Sequence, residues 1–151
     1  MAKKELSQTI RFSKLYLQTY RTLDAQLKII EEEIARLETE AEHITAATDL
    51  VAVQSTKGKD RIGTLAVKIA DLRCKAIEQK NDAIEVRQQI TEKICKLKDA
   101  KLMQILYLRY IKFKTWEEIS VEIKHYLRHT HRLHSLALQE LEKILIKDGI
   151  E

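Results

Sequence analysis

The stretch TWEEISVEIKHYLRHTHRLHSLALQEL, Thr115 to Leu141, decides how the rest of the chain is read. Its apolar residues Trp116, Ile119 and Ile123 recur at steps of three and four, the spacing of one face of a short helix. Leu133, Ala137, Leu138 and Leu141 mark the buried face of a second helix in the same way. Between them, Lys124 to Tyr126 is long enough only for a tight turn, so the two helices are expected to pack across each other. Thr115-Trp116-Glu117-Glu118 reads as a capping box, in which the threonine hydroxyl and the Glu118 carboxylate satisfy each other's backbone amides. The two glutamates also favour the positive end of the helix dipole, so they need no acid–base role. Trp116 is expected to anchor the core between this helix and the preceding one.

From Lys124 to His134 the polar positions hold Lys124, Arg128, Arg132 and four histidines, with no acidic residue. A short helix presented by a turn and carrying only donors and cations suits the acceptor-rich floor and walls of a DNA groove. The histidines do not spell a metal site. His125 falls in the turn, His129, His131 and His134 do not project to one point on a helix, and no Cys, Asp or Glu lies nearby to complete a tetrahedral set. On a groove-facing surface such side chains would instead donate to phosphates or bases.

Composition narrows the class. The 151 residues include no proline and three glycines, and 33% are charged, which points to an all-α chain with long solvated helix faces. A net charge of +4 does not by itself mark a nucleic-acid binder, but the purely basic Lys124–His134 segment contrasts with mixed charge elsewhere. No apolar run approaches the roughly 20 residues of a membrane span, and the first residues lack a signal-peptide pattern, so a cytoplasmic location is expected. Cys74 and Cys95 fall on one predicted helix, about 31 Å apart at helical rise, and are expected to be buried or half-buried thiols. There is no phosphate-binding glycine loop and no nucleophile beside a base. Neither enzyme activity nor a cofactor is expected.

Two apolar seams organise residues 1–98. Tyr16, Tyr20, Leu23, Leu27, Ile30, Ile34, Leu37, Ala41 and Ile44 alternate in steps of four and three. The pattern lapses over Thr45 to Lys59, where small and β-branched residues and Gly58 predict a loop near 45–61. A second seam runs through Ile62, Leu65, Ile69, Leu72, Ala76, Ala83, Val86, Ile90, Ile94 and Leu97. Two such helices joined by one loop should fold back as an antiparallel, coiled-coil-like hairpin arm. A two-helix hairpin buries little by itself, so association into a homo-oligomer through this arm is expected. Lys98-Asp99 marks the start of a further helix, Lys101 to Lys112, and of a second domain over 99–151.

The segment from Asp99 to Leu141 resembles the promoter-binding region four of bacterial sigma factors. It is still more similar to the sigma-like C-terminal domain of phage and prophage late-gene regulators of the ArpU/RinA type. The matching elements are Leu106 to Ile111, Thr115 to Ile119, Leu127-Arg128-His129, Arg132-Leu133-His134 and Ala137-Leu138. The resemblance covers the last third of the chain closely and the helical remainder loosely. It implies a helix-turn-helix that binds promoter DNA in a bacterial host cell, activation of late genes, and contact with RNA polymerase.

Three positions depart from the family pattern. Lys124 stands where a turn usually takes glycine, which a left-handed backbone would penalise by roughly 1 kcal/mol. Tyr126 replaces the usual Ser or Thr N-cap, a loss of about 1 kcal/mol, and Thr130 replaces a buried valine.

Residues near the start of the second helix of such a unit reach base edges, which selects Arg128, His129, His131 and Arg132. By the resemblance, Leu127 lies at the same rim. Tyr126 in the turn completes the surface, and Lys114 and Lys124 are placed to hold the phosphate backbone. Two other classes fit less of the chain: a sigma-like adaptor acting mainly through RNA polymerase, and a coiled-coil DNA-packaging or structural protein. The latter usually places its helix-turn-helix before the coiled coil, whereas here it comes last.

Overall fold

The computed structural model describes residues 2–50 and 56–149, with side chains over 10–47 and 57–149. All regular structure among them is helical: α1 (Ala2–Leu50), α2 (Thr56–Cys95), α3 (Ala100–Tyr110), α4 (Trp116–Glu122) and α5 (Leu127–Lys147). No helix among the described residues is long and apolar enough to cross a membrane. The chain divides into two compact units, Leu23–Asp82 and Met1–Thr22 with Ala83–Glu151.

In the Leu23–Asp82 unit both expected seams are at least half-buried. Leu37 of α1 and Leu65 of α2 are its most enclosed aliphatic residues, at 5% and 6% exposure. Arg61 of α2 meets Glu40 of α1 at 2.8 Å, and Arg73 of α2 meets Glu38 of α1. The partial burial of both rows and the two ion pairs between α1 and α2 leave less of either seam open to a second copy.

The loop expected near 45–61 is corrected at both ends. α1 continues through Leu50 and α2 begins at Thr56, with Gly58 inside it; the centre of the expected loop lies outside the described residues. Composition misleads here because a helix can absorb a threonine hydroxyl. Thr45 Oγ1 donates to the Ala41 carbonyl at 2.9 Å, and Thr64 does the same to Asp60 at 2.9 Å. The cysteines are also corrected. Both Cys74 and Cys95 are exposed and unbridged.

The other unit is built around α3. One side of that helix, through Leu102, Leu106 and Tyr110, shares a core with Leu17, Ile90, Ile94, Leu97 and the α5 residues Ala137, Leu138, Leu141 and Leu145. Its other side, through Ile105 and Leu108, packs on Ile119 of α4 and on Ile123, which caps the end of that helix. The core thus reaches beyond the 99–151 range, because α3 and α5 have more apolar surface than α4 can cover. At the far end of α5, Asp148 accepts from Lys93 and, at 2.7 Å, from Lys96. Those two ammonium groups hold its carboxyl at a pKa of about 2.

Local chemistry sets the helix ends. Asp99 caps α3, its Oδ1 accepting from the amides of Lys101 at 2.8 Å and Leu102 at 3.4 Å. The helix stops at Tyr110 rather than Lys112. Ile111 is its C-cap, and Phe113 takes φ 56° so that its ring stacks on Tyr20 at 5.5 Å. α4 carries the expected capping box, with Thr115 Oγ1 accepting from the Glu118 amide at 3.3 Å and Glu118 accepting from the Thr115 amide at 2.8 Å. Those backbone and hydroxyl bonds lower the Glu118 pKa.

After α4, the His125 amide donates to Ser120 O at 3.0 Å and the Lys124 amide to Val121 O at 3.2 Å, with Lys124 at φ 57°. This paired bonding is a Schellman closure, and it puts a lysine where glycine is free of strain. Lys124→Gly is therefore expected to stabilise the fold by no more than about 0.5 kcal/mol after the added unfolded-state entropy is deducted. The check is the urea midpoint, and a lowered midpoint would show that the lysine stem contributes more than the strained φ costs.

Candidate nucleic-acid interface

The turn Lys124–Tyr126 delivers α5 with its first two turns open to solvent on one side. Arg128 and Arg132 are four apart and project together, flanked by His129. With Tyr126, which is 89% exposed, these side chains line a groove of about 550 Å³. Lys124 is exposed beside them and Leu127, 41% exposed, lies at the rim. No acidic side chain forms an ion pair with Lys124, Arg128 or Arg132 among the described residues.

The N-terminus of α5 differs from those of its neighbours. α3 and α4 begin with side-chain caps, and α4 adds two acids in its first turn. α5 begins at Tyr126 with no side-chain cap and no acid in its first turn. Positive side chains therefore stand at the positive end of a 21-residue helix, an arrangement that an anion relieves.

Of the four histidines, His129 alone shares the arginine face. His125 turns back: its Nε2 accepts from the Lys101 ammonium at 2.8 Å, and its ring sits 4.7 Å from that of His129. Burial, then the Lys101 charge and then His129, lower its pKa. Lys101 lies 24 residues away in sequence, so no local pattern pointed to this pairing.

His131 is exposed but lies 4.6 Å from the Trp116 ring, on the flank of α5. His134 corrects the expectation of a groove-facing row. It is 8% exposed and lies 2.9 Å from the Tyr110 hydroxyl. Burial, reinforced by Lys14, Arg109 and His131, lowers its pKa to about 4, and burial raises that of Tyr110 to about 12. At neutral pH both are uncharged and join α3 to α5.

Lys114 is also placed differently. Its ammonium is held by Glu122 at 2.6 Å, which raises its pKa, and its carbonyl accepts from Arg109 at 3.0 Å. It would reach a phosphate only by releasing Glu122. Among the described residues, no group of three or more His, Cys, Asp or Glu could hold a metal ion.

Trp116 supports the surface from behind. Its half-buried ring packs on the Ile105–Ile119 cluster, with the Arg109 guanidinium 4.5 Å from the ring centroid and His134 edge-on at 4.7 Å. Trp116→Ala is expected to destabilise this unit by about 2–3 kcal/mol, less than for a fully enclosed tryptophan. Thermal or urea unfolding checks it. A variant with wild-type stability would make the ring a surface residue rather than a support for α5.

No family model matches the chain, and no characterised protein or solved structure matches it significantly.

Proposed function

We propose that the chain is a DNA-binding transcription regulator of the phage or prophage late-gene type, with α4, the Lys124–Tyr126 turn and α5 acting as a sigma region-four-like helix-turn-helix. On this reading the first two turns of α5 enter the major groove. Arg128, His129 and Arg132 face the bases, while Lys124 and the open amides of α5 hold phosphates. His131, Leu127 and Tyr126 form the rim. The antiparallel pairing of α1 with α2 serves as a hairpin arm for protein contacts, with RNA polymerase as one candidate. The work takes place in the cytoplasm of a bacterial host, with no chemistry catalysed and no cofactor.

The observation that carries the proposal is the Arg128/Arg132 face, without ion pairs among the described residues, at an uncapped, acid-free helix start. Cations without an ion pair among the described residues, grouped at the exposed start of one helix, are available to phosphate and guanine edges without breaking such a pair. The test is recovery of fragments from a phage or host genome with the purified protein. Enrichment of a discrete site, lost as salt rises, is the expected result. Uniform recovery would remove sequence-specific regulation from the proposal and favour an adaptor working through RNA polymerase.

A further inference from the structure

α2 carries a second apolar row on the side away from the one it turns toward α1. Val67, Ala70, Cys74, Ile77, Asn81 and Ile84 recur at alternating steps of three and four, and all are exposed. The three large aliphatic residues among them are 57–62% exposed. At about 100° per residue, this row lies roughly 150° around the helix from Leu65, Leu72 and Ala83. Ala70 at its edge borders a groove shared with Glu38 and Ala41 of α1, but Val67, Ile77 and Ile84 stand open to solvent, and the period of the row is that of a coiled-coil seam.

The flanking charges specify what would cover it. With Val67, Cys74 and Asn81 at the first core position of each heptad and Ala70, Ile77 and Ile84 at the second, one flank reads Arg73, Lys80, Arg87. The other reads Asp71, Glu78, Glu85, Glu92. One flank is wholly basic and the other wholly acidic. In a parallel pair, each basic flank residue faces the acidic residue five positions on in the other helix. Arg73 would meet Glu78 of the second copy and Lys80 would meet Glu85. An antiparallel pair would set like charge against like charge. Arg73 already touches Glu38 within the chain, but its guanidinium has five donors and can serve both. Asn81 supplies a polar residue at a core position, the device that fixes register and two-stranded association.

We propose that α2 pairs with α2 of a second copy as a parallel, in-register coiled coil over residues 67–87. The sequence expectation of self-association is thereby moved from the inward seams to an outer row. Because the chain passes directly from α2 into α3, parallel pairing starts the two α3 helices from the same end of the coiled coil. If the DNA-binding reading also holds, that arrangement calls for a site with two-fold symmetry. The dimer itself does not depend on that reading.

The register has a chemical signature. Matching first core positions of a parallel pair approach within disulfide range, so Cys74 of the two copies would face each other. The experiment uses the full-length Cys95→Ser protein without DNA. Light scattering at high micromolar concentration should give twice the chain mass, and mild oxidation with copper–phenanthroline should link the copies through Cys74. Ile77→Glu, at a position that takes no part in the chain's own core, should give a monomer with unchanged helical circular dichroism and no cross-link.

A charge-reversed Arg73→Glu/Lys80→Glu variant should weaken self-association at least tenfold and recover it on mixing with Glu78→Lys/Glu85→Lys. This arm remains decisive if the Ile77 variant fails to fold. A monomeric Cys95→Ser protein, a dimer indifferent to Ile77→Glu and charge reversal, or a dimer that does not link through Cys74 would each overturn the proposal.

Discussion

Replacing Arg128 and Arg132 together by alanine is expected to cost about 2–6 kcal/mol of binding free energy at a selected DNA site, from about 1–3 kcal/mol for each base-reading arginine. That corresponds to an affinity loss of roughly 30-fold to 20,000-fold. The fold should not suffer. Both side chains are exposed and form no ion pair among the described residues, so surface truncation should change stability by no more than about 0.5 kcal/mol. The sign of that small change is itself informative. Removing cations from the uncapped N-terminus of α5 relieves an unfavourable dipole interaction, so the unfolding midpoint should stay level or rise slightly. A titration of fluorescent duplexes with the selected and scrambled sites measures both affinity and discrimination. Wild-type affinity and selectivity in the double variant would remove α5 from the recognition role.

Acid should destabilise the unit that holds His134 by about 3 kcal/mol between pH 7.5 and pH 4. The folded ring titrates near 4, against 6.5 for an unperturbed histidine. Above 6.5 it is neutral in both folded and unfolded chains. Below that, the unfolded chain takes up a proton that the folded chain refuses, so stability falls until the folded ring also protonates near pH 4. Burial is the main cause, and Lys14, Arg109 and His131 add repulsion to a charged ring. Glu142 acts in the opposite sense, because its pKa is raised by burial, so its protonation offsets part of the loss.

Urea unfolding across this range isolates the histidine when wild type is compared with His134→Gln. The glutamine oxygen can still accept from the Tyr110 hydroxyl but does not titrate. The variant should show a flatter pH profile between 6.5 and 4. An equally steep decline would place the acid sensitivity elsewhere.

Much of the local structure was legible because it depends on short spacings. Thr115 and Glu118 are three apart and satisfy each other's amides whatever packs around them. α5 starts without a side-chain cap, as the residue type at 126 suggested, whereas the left-handed Lys124 backbone was expected only from the resemblance, since lysine itself disfavours it. The seams of residues 16–44 and 62–97 were readable from their period, since a helix repeats every few residues and its buried face must follow. The loop limits were not. Threonine and glycine lower helix propensity by amounts that packing readily overrides, and α1 and α2 each continue into the range assigned to the loop.

The candidate surface was legible only in part, and the histidines show why. Sequence places His125, His129, His131 and His134 within ten residues and cannot say which way each points. Tertiary packing sends them to four environments: Lys101, the arginine face, the Trp116 ring and the Tyr110 hydroxyl. The same applies to Lys114, whose partner Glu122 lies eight residues away on α4. The sequence by itself determined the helical class, the helix caps and the acid-free basic stretch, because these follow from nearest-neighbour chemistry and a fixed period. Only the tertiary structure decided which cations have no ion pair among the described residues and which apolar rows are buried. Those outcomes depend on residues far apart in the chain that meet only when their helices pack.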